Sequence, residues 1–239
     1  LIGVAFQKGG VMAIQIIAVC ACAGIIVGVI SLTGVGARFS NLLLGLAEAS
    51  QLLAMVFAML IAIMLGMGMP TTAAYAVAAS VVAPGLVELG VPTLSAHIFV
   101  FYFAVVSAIT PPVALASYAA AGISGANAIA TSLASFKVGI SAFIVPFMVF
   151  YNPALLLDGT TLEIARAAVT AVAGIFLLSA GVQGWLLGGR APWPSQIALI
   201  IAALLLIGGT LLTDAGGLAI AGATLGWQRL LHARRKAVA

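Results

Sequence analysis

The chain has 239 residues, of which 64% are hydrophobic and only 6% carry a formal charge, with a net charge of +4. A soluble domain carries about 25% charged residues, so the soluble, disordered and collagen-like classes are excluded. Since a membrane-spanning helix needs about 20 apolar residues, long charge-free runs predict an all-α polytopic membrane protein. Those runs are 9–37, 49–87, 89–136, 138–157, 167–189 and 191–213.

The first two elements are predicted to be full membrane spans, over residues 11–33 and 42–65. Cys20 and Cys22 lie in the first span, and their spacing permits neither an ordinary disulfide nor a metal site. We therefore interpret both as small buried hydrophobes. Glu48 is interpreted as an interfacial helix end, and a proton relay is the alternative.

The run 49–87 is too long for one span and has no polar loop that would divide it into two. Its middle, residues 66–72, reads Gly-Met-Gly-Met-Pro-Thr-Thr. Glycine weakens a helix, and Pro70 cannot donate a hydrogen bond to the Gly66 carbonyl. The pattern predicts a broken passage at membrane depth and a further helix over 72–88.

The longest run is predicted to hold two short helical arms, over about 95–107 and 111–122. Ser95 can cap the first arm, while Thr110 is a good N-cap and Pro111 suits the first position of the second arm. Each arm is about 18 Å long, too short for a core of about 30 Å. Two such arms predict a re-entrant hairpin, which is tolerated only against protein or a wet cavity.

The rest of the chain is predicted to be simpler. In order, we expect an interfacial helix over 124–135, a shorter span over 137–151, an exposed connection over 153–166, and apolar segments over 165–187, 195–212 and 216–231. Tryptophans favour the headgroup region of a membrane, and three are expected at the ends of these segments: Trp185, Trp193 and Trp227.

The charges of this last part sort onto two sides if each segment crosses the membrane. One side receives the basic residues Lys137, Arg190, His232, Arg234, Arg235 and Lys236. The other side receives Asp158, Glu163, Arg166 and Asp214. Under the positive-inside rule the C-terminus is cytoplasmic, and the tail is a cytoplasmic anchor, with nucleic-acid binding as the rejected alternative. The same count makes the hairpin open to the cytoplasm.

No catalytic triad, zinc-protease motif, Walker loop or dinucleotide-binding pattern occurs, so neither an enzyme nor an organic cofactor is expected. The two breaks offer neutral oxygens and free backbone groups instead. The candidate sodium and substrate residues are Gly66, Gly68, Pro70, Thr71, Thr72, Ser107, Thr110, Pro111 and Pro112. Sodium would be held through the hydroxyls of Thr71, Thr72, Ser107 and Thr110.

Sodium is a hard cation that needs several oxygens, and broken helices supply them in secondary transporters. Helix N-termini starting near Pro70 and Pro111 carry partial positive charge, which attracts a carboxylate. Proton coupling would need a titratable group within the membrane. Neither break contains Asp, Glu, Lys or Arg, which favours sodium as the coupling ion.

Each of these features has a simpler structural explanation. A proline in a membrane helix is often only a kink. His97 is interpreted as a hydrogen-bonded packing residue. Tyr75, Tyr102 and Tyr118 fit both a cavity lining and helix packing. The glycine-rich strings near 24–36 and 216–226 are interpreted as close helix contacts.

Three strings carry a family resemblance: Leu-Gly-Met-Gly-Met-Pro-Thr-Thr-Ala-Ala-Tyr at 65–75, Ala-His-Ile-Phe-Val-Phe-Tyr-Phe at 96–103 and Ser-Ala-Ile-Thr-Pro-Pro-Val-Ala at 107–114. Together they resemble the large membrane subunit of tripartite ATP-independent periplasmic (TRAP) transporters, a DctM-like protein. The likeness is greatest to the fused permeases of the TAXI branch. It covers roughly residues 11–156, and the segments after 163 match only a less characteristic extension.

The resemblance implies a sodium-driven importer in the bacterial inner membrane that takes a small organic anion from a periplasmic binding protein by an elevator motion. It implies a first transmembrane helix over 1–40, a transport-domain core over 41–156 and a C-terminal extension over 157–239. The core would hold the broken helix and the hairpin, at 95–122, as the second half of an inverted repeat. The expected partners are the N-terminal half of the same permease, absent from this chain, and membrane lipid.

The resemblance also implies a hairpin that opens to the periplasm, against the charge count, and here we follow the resemblance. One irregular C-terminal segment, or a failure of the positive-inside count, is then expected. Two other functional classes stay open from the residues. One is an ion channel in which the two breaks form a static filter, and the other is a non-transporting structural or assembly subunit.

Overall fold

A computed structural model of the protein describes the backbone of residues 2–186 and 189–238. Side chains from 229 onwards fall outside the described set, as do those of Ile2, Met12, Gln15 and Ile16. The predicted role of the basic tail therefore lies outside the described residues. The chain divides into two compact units, residues 1–133 and 134–239.

The first unit consists of helices joined by short turns. They are α1 (Ile2–Thr33), α2 (Val35–Ala49), α3 (Gln51–Gly66), α4 (Thr71–Glu88), α5 (Thr93–Val106), a 3-10 turn (Ser107–Ile109), α6 (Leu115–Ser124) and the start of α7 (Ala128–Gly139).

The second unit begins with the end of α7 and adds short turns and three longer helices. Its elements are a 3-10 turn (Ile140–Phe143), α8 (Val145–Tyr151), a 3-10 turn (Pro153–Leu156), α9 (Thr161–Gln183), β1 (Trp185–Leu186), β2 (Gly189–Arg190), α10 (Trp193–Ile207) and α11 (Leu211–Val238).

Three stretches of the described chain are long and apolar enough to cross a membrane: Thr71–Glu88, Ala128–Tyr151 and Thr161–Gln183. A fourth is possible where Ile17–Thr33 and Val35–Ala49 join at a bend of 68°. Apart from the two-residue strands of a small ribbon, the regular structure within the described residues is helical. The prediction of an all-α polytopic membrane protein is confirmed.

Helix α4 is the centre of the first unit and packs against α1, α2, α3 and α5. Small residues make this close packing possible. A Cβ on Gly85 would lie 2.8 Å from Leu43 Cδ1 and 3.2 Å from Ser40 Cα. On α5, the rings of Phe99 and Phe103 are both buried and meet edge to face, with their centroids 4.8 Å apart.

Three predictions about the first unit are wrong. Residues 42–65 are not one helix, because Ser50 is extended (φ −166°) and its hydroxyl accepts the Leu53 N–H, so that α3 starts there. Ser95 does not cap α5, which begins at Thr93 and buries Ser95. Cys20 and Cys22 are exposed, because lipid-facing positions are as apolar as protein-facing ones.

The second unit is built on α9, α10 and α11, which bury Leu199, Ala202, Ala203 and Leu206 between them. Backbones approach closely at Gly217, where a Cβ would lie 2.8 Å from the Ala202 carbonyl oxygen. The predicted close helix contact is confirmed at Gly217. The same prediction is wrong at Gly222 and Gly226 in this unit, and at Gly24 and Gly28 in the first unit, because a Cβ at each of these positions would meet nothing within 4 Å.

Boundaries in the second unit depart from the predictions in two places. The interfacial helix and the span over 137–151 belong to one candidate span, Ala128–Tyr151, in which the turn Ile140–Phe143 is irregular. Trp185 follows the end of α9 and Trp193 starts α10, as expected, but Trp227 lies within α11. That expectation was wrong because α11 begins at Leu211 and continues into the polar tail.

The described charged residues of the second unit lie near the two ends of α9, with the carboxylates at the N-terminal end. At its N-terminal end Arg166 Nε lies 3.7 Å from Asp214 Oδ2, and the same guanidinium donates to the Gly209 carbonyl at 2.8 Å. At its C-terminal end Gln183 Nε2 donates to the Lys137 carbonyl at 3.1 Å. The ends are about 30 Å apart at 1.5 Å per residue. For the described side chains this agrees with the predicted sorting of charges.

Candidate functional site

The first break joins α3 to α4 through residues 67–70. Helix α3 ends at Gly66, Gly68 has a left-handed backbone (φ +78°), and Pro70 is the N-cap of α4. Gly68 suits this conformation because it has no Cβ. Pro70 then fixes φ, and its carbonyl accepts the Ala74 N–H at 2.9 Å. The predicted break in the helix is confirmed, and its oxygens belong to non-helical backbone. Its position at membrane depth stays a prediction.

The second break starts at the end of α5 and is shaped by two hydroxyls. Ser107 Oγ donates to the Ala104 carbonyl at 2.7 Å, and Thr110 Oγ1 donates to the Val106 carbonyl at 2.9 Å. Both side chains are buried. These bonds close the C-terminal end of α5 and carry the chain into the turn before Pro111.

The predicted N-terminus of the second arm is wrong. Helix α6 starts at Leu115 with Ala114 as its N-cap, and not at Pro111 with Thr110 as its cap. The reason is that the Thr110 hydroxyl is directed back to α5, where a threonine can bond the carbonyl four residues earlier. The partial positive charge of this helix terminus therefore lies several residues after the prolines.

The two breaks meet at Gly66. A Cβ built on Gly66 would lie 2.7 Å from Ser107 Oγ and 3.2 Å from both the Cα and the carbonyl oxygen of Ala104. Nearby, a Cβ on Gly68 would lie 3.5 Å from Val113 Cγ1. Only a hydrogen atom fits in place of a side chain at Gly66, so the end of α3 lies directly against the end of α5. The sequence did not show this contact.

The remaining predicted residues lie around this contact. Thr71 and Thr72 form the first turn of α4 and are exposed, as is Pro70. Pro112 is exposed and its carbonyl accepts the Tyr118 hydroxyl, while Pro111 is partly buried. Of the four predicted sodium ligands, two are buried at the break and two lie at an open helix start.

Ser117 is a further candidate residue of the site, and the sequence predictions omit it. It is 2% exposed, and its Oγ has no hydrogen-bond partner among the described residues. Ala114, Ser117 and Ala121 are all buried and share one face of α6 by helical spacing. Helix α6 packs against the turn Ser107–Ile109, so this hydroxyl lies on the face toward the break. A serine among alanines at that spacing was the available signal.

Two aromatic pairs hold the helices that flank the breaks. Tyr75 Oη lies 2.9 Å from His97 Nδ1, which joins the second turn of α4 to α5, and the ring of Tyr75 meets Phe101 edge to face at 5.5 Å. The prediction that His97 is a hydrogen-bonded packing residue is confirmed. Both Tyr75 and Tyr118 are thereby occupied in positioning contacts.

The site has no formal charge of its own within the stretch 49–87 or 89–136. Among the described residues no group of three or more His, Cys, Asp or Glu side chains is placed to hold a metal. What the arrangement offers a ligand is therefore hydroxyl and carbonyl oxygen, together with the N-termini of α4 and α6.

One family model matches the chain: Tripartite ATP-independent periplasmic transporter, DctM component, over residues 2–164. That range contains both breaks and all of the candidate residues. No curated protein and no solved structure matches. The TAXI branch and the position in the second half of a repeat stay predictions. The chain belongs to the DctM family, the membrane permeases of TRAP transporters.

Proposed function

We propose that the protein imports a small organic carboxylate by sodium symport, and that sodium binds where the two breaks meet. The family supports a TRAP permease that works with a periplasmic binding protein in the bacterial inner membrane. The observation that carries the sodium proposal is the contact of Gly66 with Ser107 and Ala104. It brings two stretches of irregular backbone into one neighbourhood.

The oxygens at this contact suit a hard cation. Backbone carbonyls in residues 67–70 lie outside any helix, and the Ala108 carbonyl has Pro111 and Pro112 at the positions that would otherwise donate to it. The Ser117 hydroxyl is buried and has no hydrogen-bond partner among the described residues. A buried hydroxyl without a partner costs about 1–3 kcal/mol. A bound cation or its water shell would remove that cost.

The substrate side of the proposal rests on the start of α4. Thr71 and Thr72 are exposed there, next to the backbone N–H groups of the first helical turn. A helix N-terminus attracts carboxylates, and hydroxyls can bind them by hydrogen bonds. The anion and sodium would then share one neighbourhood without a charged side chain.

The lengths of α5 and α6 support the re-entrant part of the proposal. They contain 14 and 10 residues, or about 21 Å and 15 Å, which is less than a hydrocarbon core of about 30 Å. Helix α6 packs against the turn rather than along α5. We propose that this pair enters and leaves the membrane on one side and moves with the site.

The test is uptake by the purified permease in proteoliposomes with its binding protein, with and without an inward sodium gradient. Thr110→Val is expected to raise the sodium concentration for half-maximal uptake about tenfold. Thr131→Val is the matched control, since its hydroxyl also donates to the carbonyl four residues earlier at 2.9 Å. Uptake that continues unchanged without sodium, or equal sodium activation in both variants, contradicts the proposal.

A further inference from the structure

A groove of about 320 Å³ lies at the C-terminal end of α9, in the second unit. Its lining is largely apolar, and its residues are Phe176, Ser179, Ala180, Gln183, Trp185 and Leu186. Trp185 is 55% exposed at the rim. An exposed tryptophan at a helix end favours the headgroup level of a membrane, so the groove runs from that level toward the hydrocarbon core.

Two cationic residues flank this groove. Gln183, which lines it, donates through Nε2 to the backbone carbonyl of Lys137 at 3.1 Å, and this places the Lys137 backbone beside the groove. Trp185 is paired directly opposite Arg190 in the antiparallel ribbon of β1 and β2. Residues paired in this way project from the same face with Cβ atoms about 5 Å apart. Both cationic side chains are exposed.

Among the side chains that the structure describes, neither Lys137 nor Arg190 has an ion-pair partner. The Arg166–Asp214 contact is the ion pair found among the described residues. The carboxylates of the second unit, on Asp158, Glu163 and Asp214, lie at the other end of α9, about 30 Å away at 1.5 Å per residue. The groove rim is therefore net positive, and an anion is the complementary ligand.

We infer that this groove binds one anionic phospholipid, with its phosphate at Lys137 and Arg190 and an acyl chain along the apolar lining. A free phosphate would use the cations but leave the groove empty, and a zwitterionic lipid would fill the groove but gain less from the cations. Only an anionic lipid both fills the apolar groove and pairs with the two cations. Membrane-surface cations each contribute to binding anionic lipid.

The experiment uses quenching of Trp185 fluorescence by brominated lipid. The permease, with Trp193, Trp227 and any tryptophan outside this chain replaced by Phe, is reconstituted in nanodiscs that contain equal mole fractions of brominated phosphatidylglycerol or brominated phosphatidylcholine. Stronger quenching by the anionic lipid is expected. The double variant K137Q/R190Q is expected to lose about 25-fold in relative affinity, since each cation contributes a factor of about five.

Two further variants keep the test decisive if K137Q/R190Q folds poorly. K137R/R190K retains both charges and should retain the preference for the anionic lipid. R38Q removes an exposed cation from the first unit and should leave the preference unchanged. Equal quenching by the two lipids in the parent protein, or an equal loss in R38Q and K137Q/R190Q, overturns the inference.

Discussion

Gly66→Ala tests the contact on which the site depends. The new Cβ would lie 2.7 Å from Ser107 Oγ and 3.2 Å from two backbone atoms of Ala104. Ser107 can rotate away only by giving up its bond to the Ala104 carbonyl, and the backbone cannot rotate away at all. Overpacking costs about 1–3 kcal/mol and the lost hydrogen bond about 1 kcal/mol. The better helix propensity of alanine returns about 0.5–1 kcal/mol.

The net expectation for Gly66→Ala is a loss of about 2 kcal/mol in the free energy of unfolding, together with weaker sodium activation of uptake. Thermal unfolding in detergent, with and without sodium, measures the first, and proteoliposome uptake measures the second. Gly122→Ala in α6 is the control, since its Cβ would meet nothing within 4 Å. Equal stability and equal sodium activation in the two variants would refute the reasoning.

Three further predictions concern substitutions elsewhere, each measured by thermal unfolding, with uptake as a second measurement for Ser117→Ala. Ser117→Ala should stabilise the sodium-free protein by about 1 kcal/mol, since the buried Oγ lacks a partner among the described residues. The same substitution should weaken the sodium activation of uptake. Unchanged sodium activation contradicts the place of Ser117 in the site. Arg166→Met should lower the free energy of unfolding by about 3 kcal/mol, because it leaves the Asp214 carboxylate, which is 6% exposed, without its cation. Asp214→Asn should lower it by only about 1 kcal/mol, because Arg166 keeps its bond to the Gly209 carbonyl. A larger loss in Asp214→Asn than in Arg166→Met contradicts this prediction. Gly217→Ala should destabilise by about 2 kcal/mol through its contact with α10, while Gly222→Ala should not.

The breaks were predictable from the sequence because glycine and proline act locally. Pro70 removes a donor and Gly68 permits a left-handed backbone, and neither effect depends on what packs nearby. The start of α6 was not predictable in the same way. The Thr110 hydroxyl had two possible partners, the N-terminus of α6 and the C-terminus of α5, and only the folded chain shows that α5 receives it.

Burial was the least predictable property. Cys20 and Ala23 are both apolar and lie one helical turn apart, yet the first is exposed and the second is 3% exposed. In a membrane protein lipid-facing and protein-facing positions have the same polarity, so hydropathy does not separate them. The positions of charged residues were more predictable than burial. Lys137 and Arg166 lie at opposite ends of α9, as the charge-free run between them in the sequence indicated.

Binding of radioactive sodium to the purified permease tests the central claim most directly. Saturable binding that unlabelled sodium displaces and potassium does not is predicted for the parent protein. Thr110→Val and Ser107→Ala should each reduce it strongly, and Thr131→Val should leave it unchanged. Equal binding in all four proteins, or displacement by potassium as effective as by sodium, would contradict a sodium site formed by the two breaks.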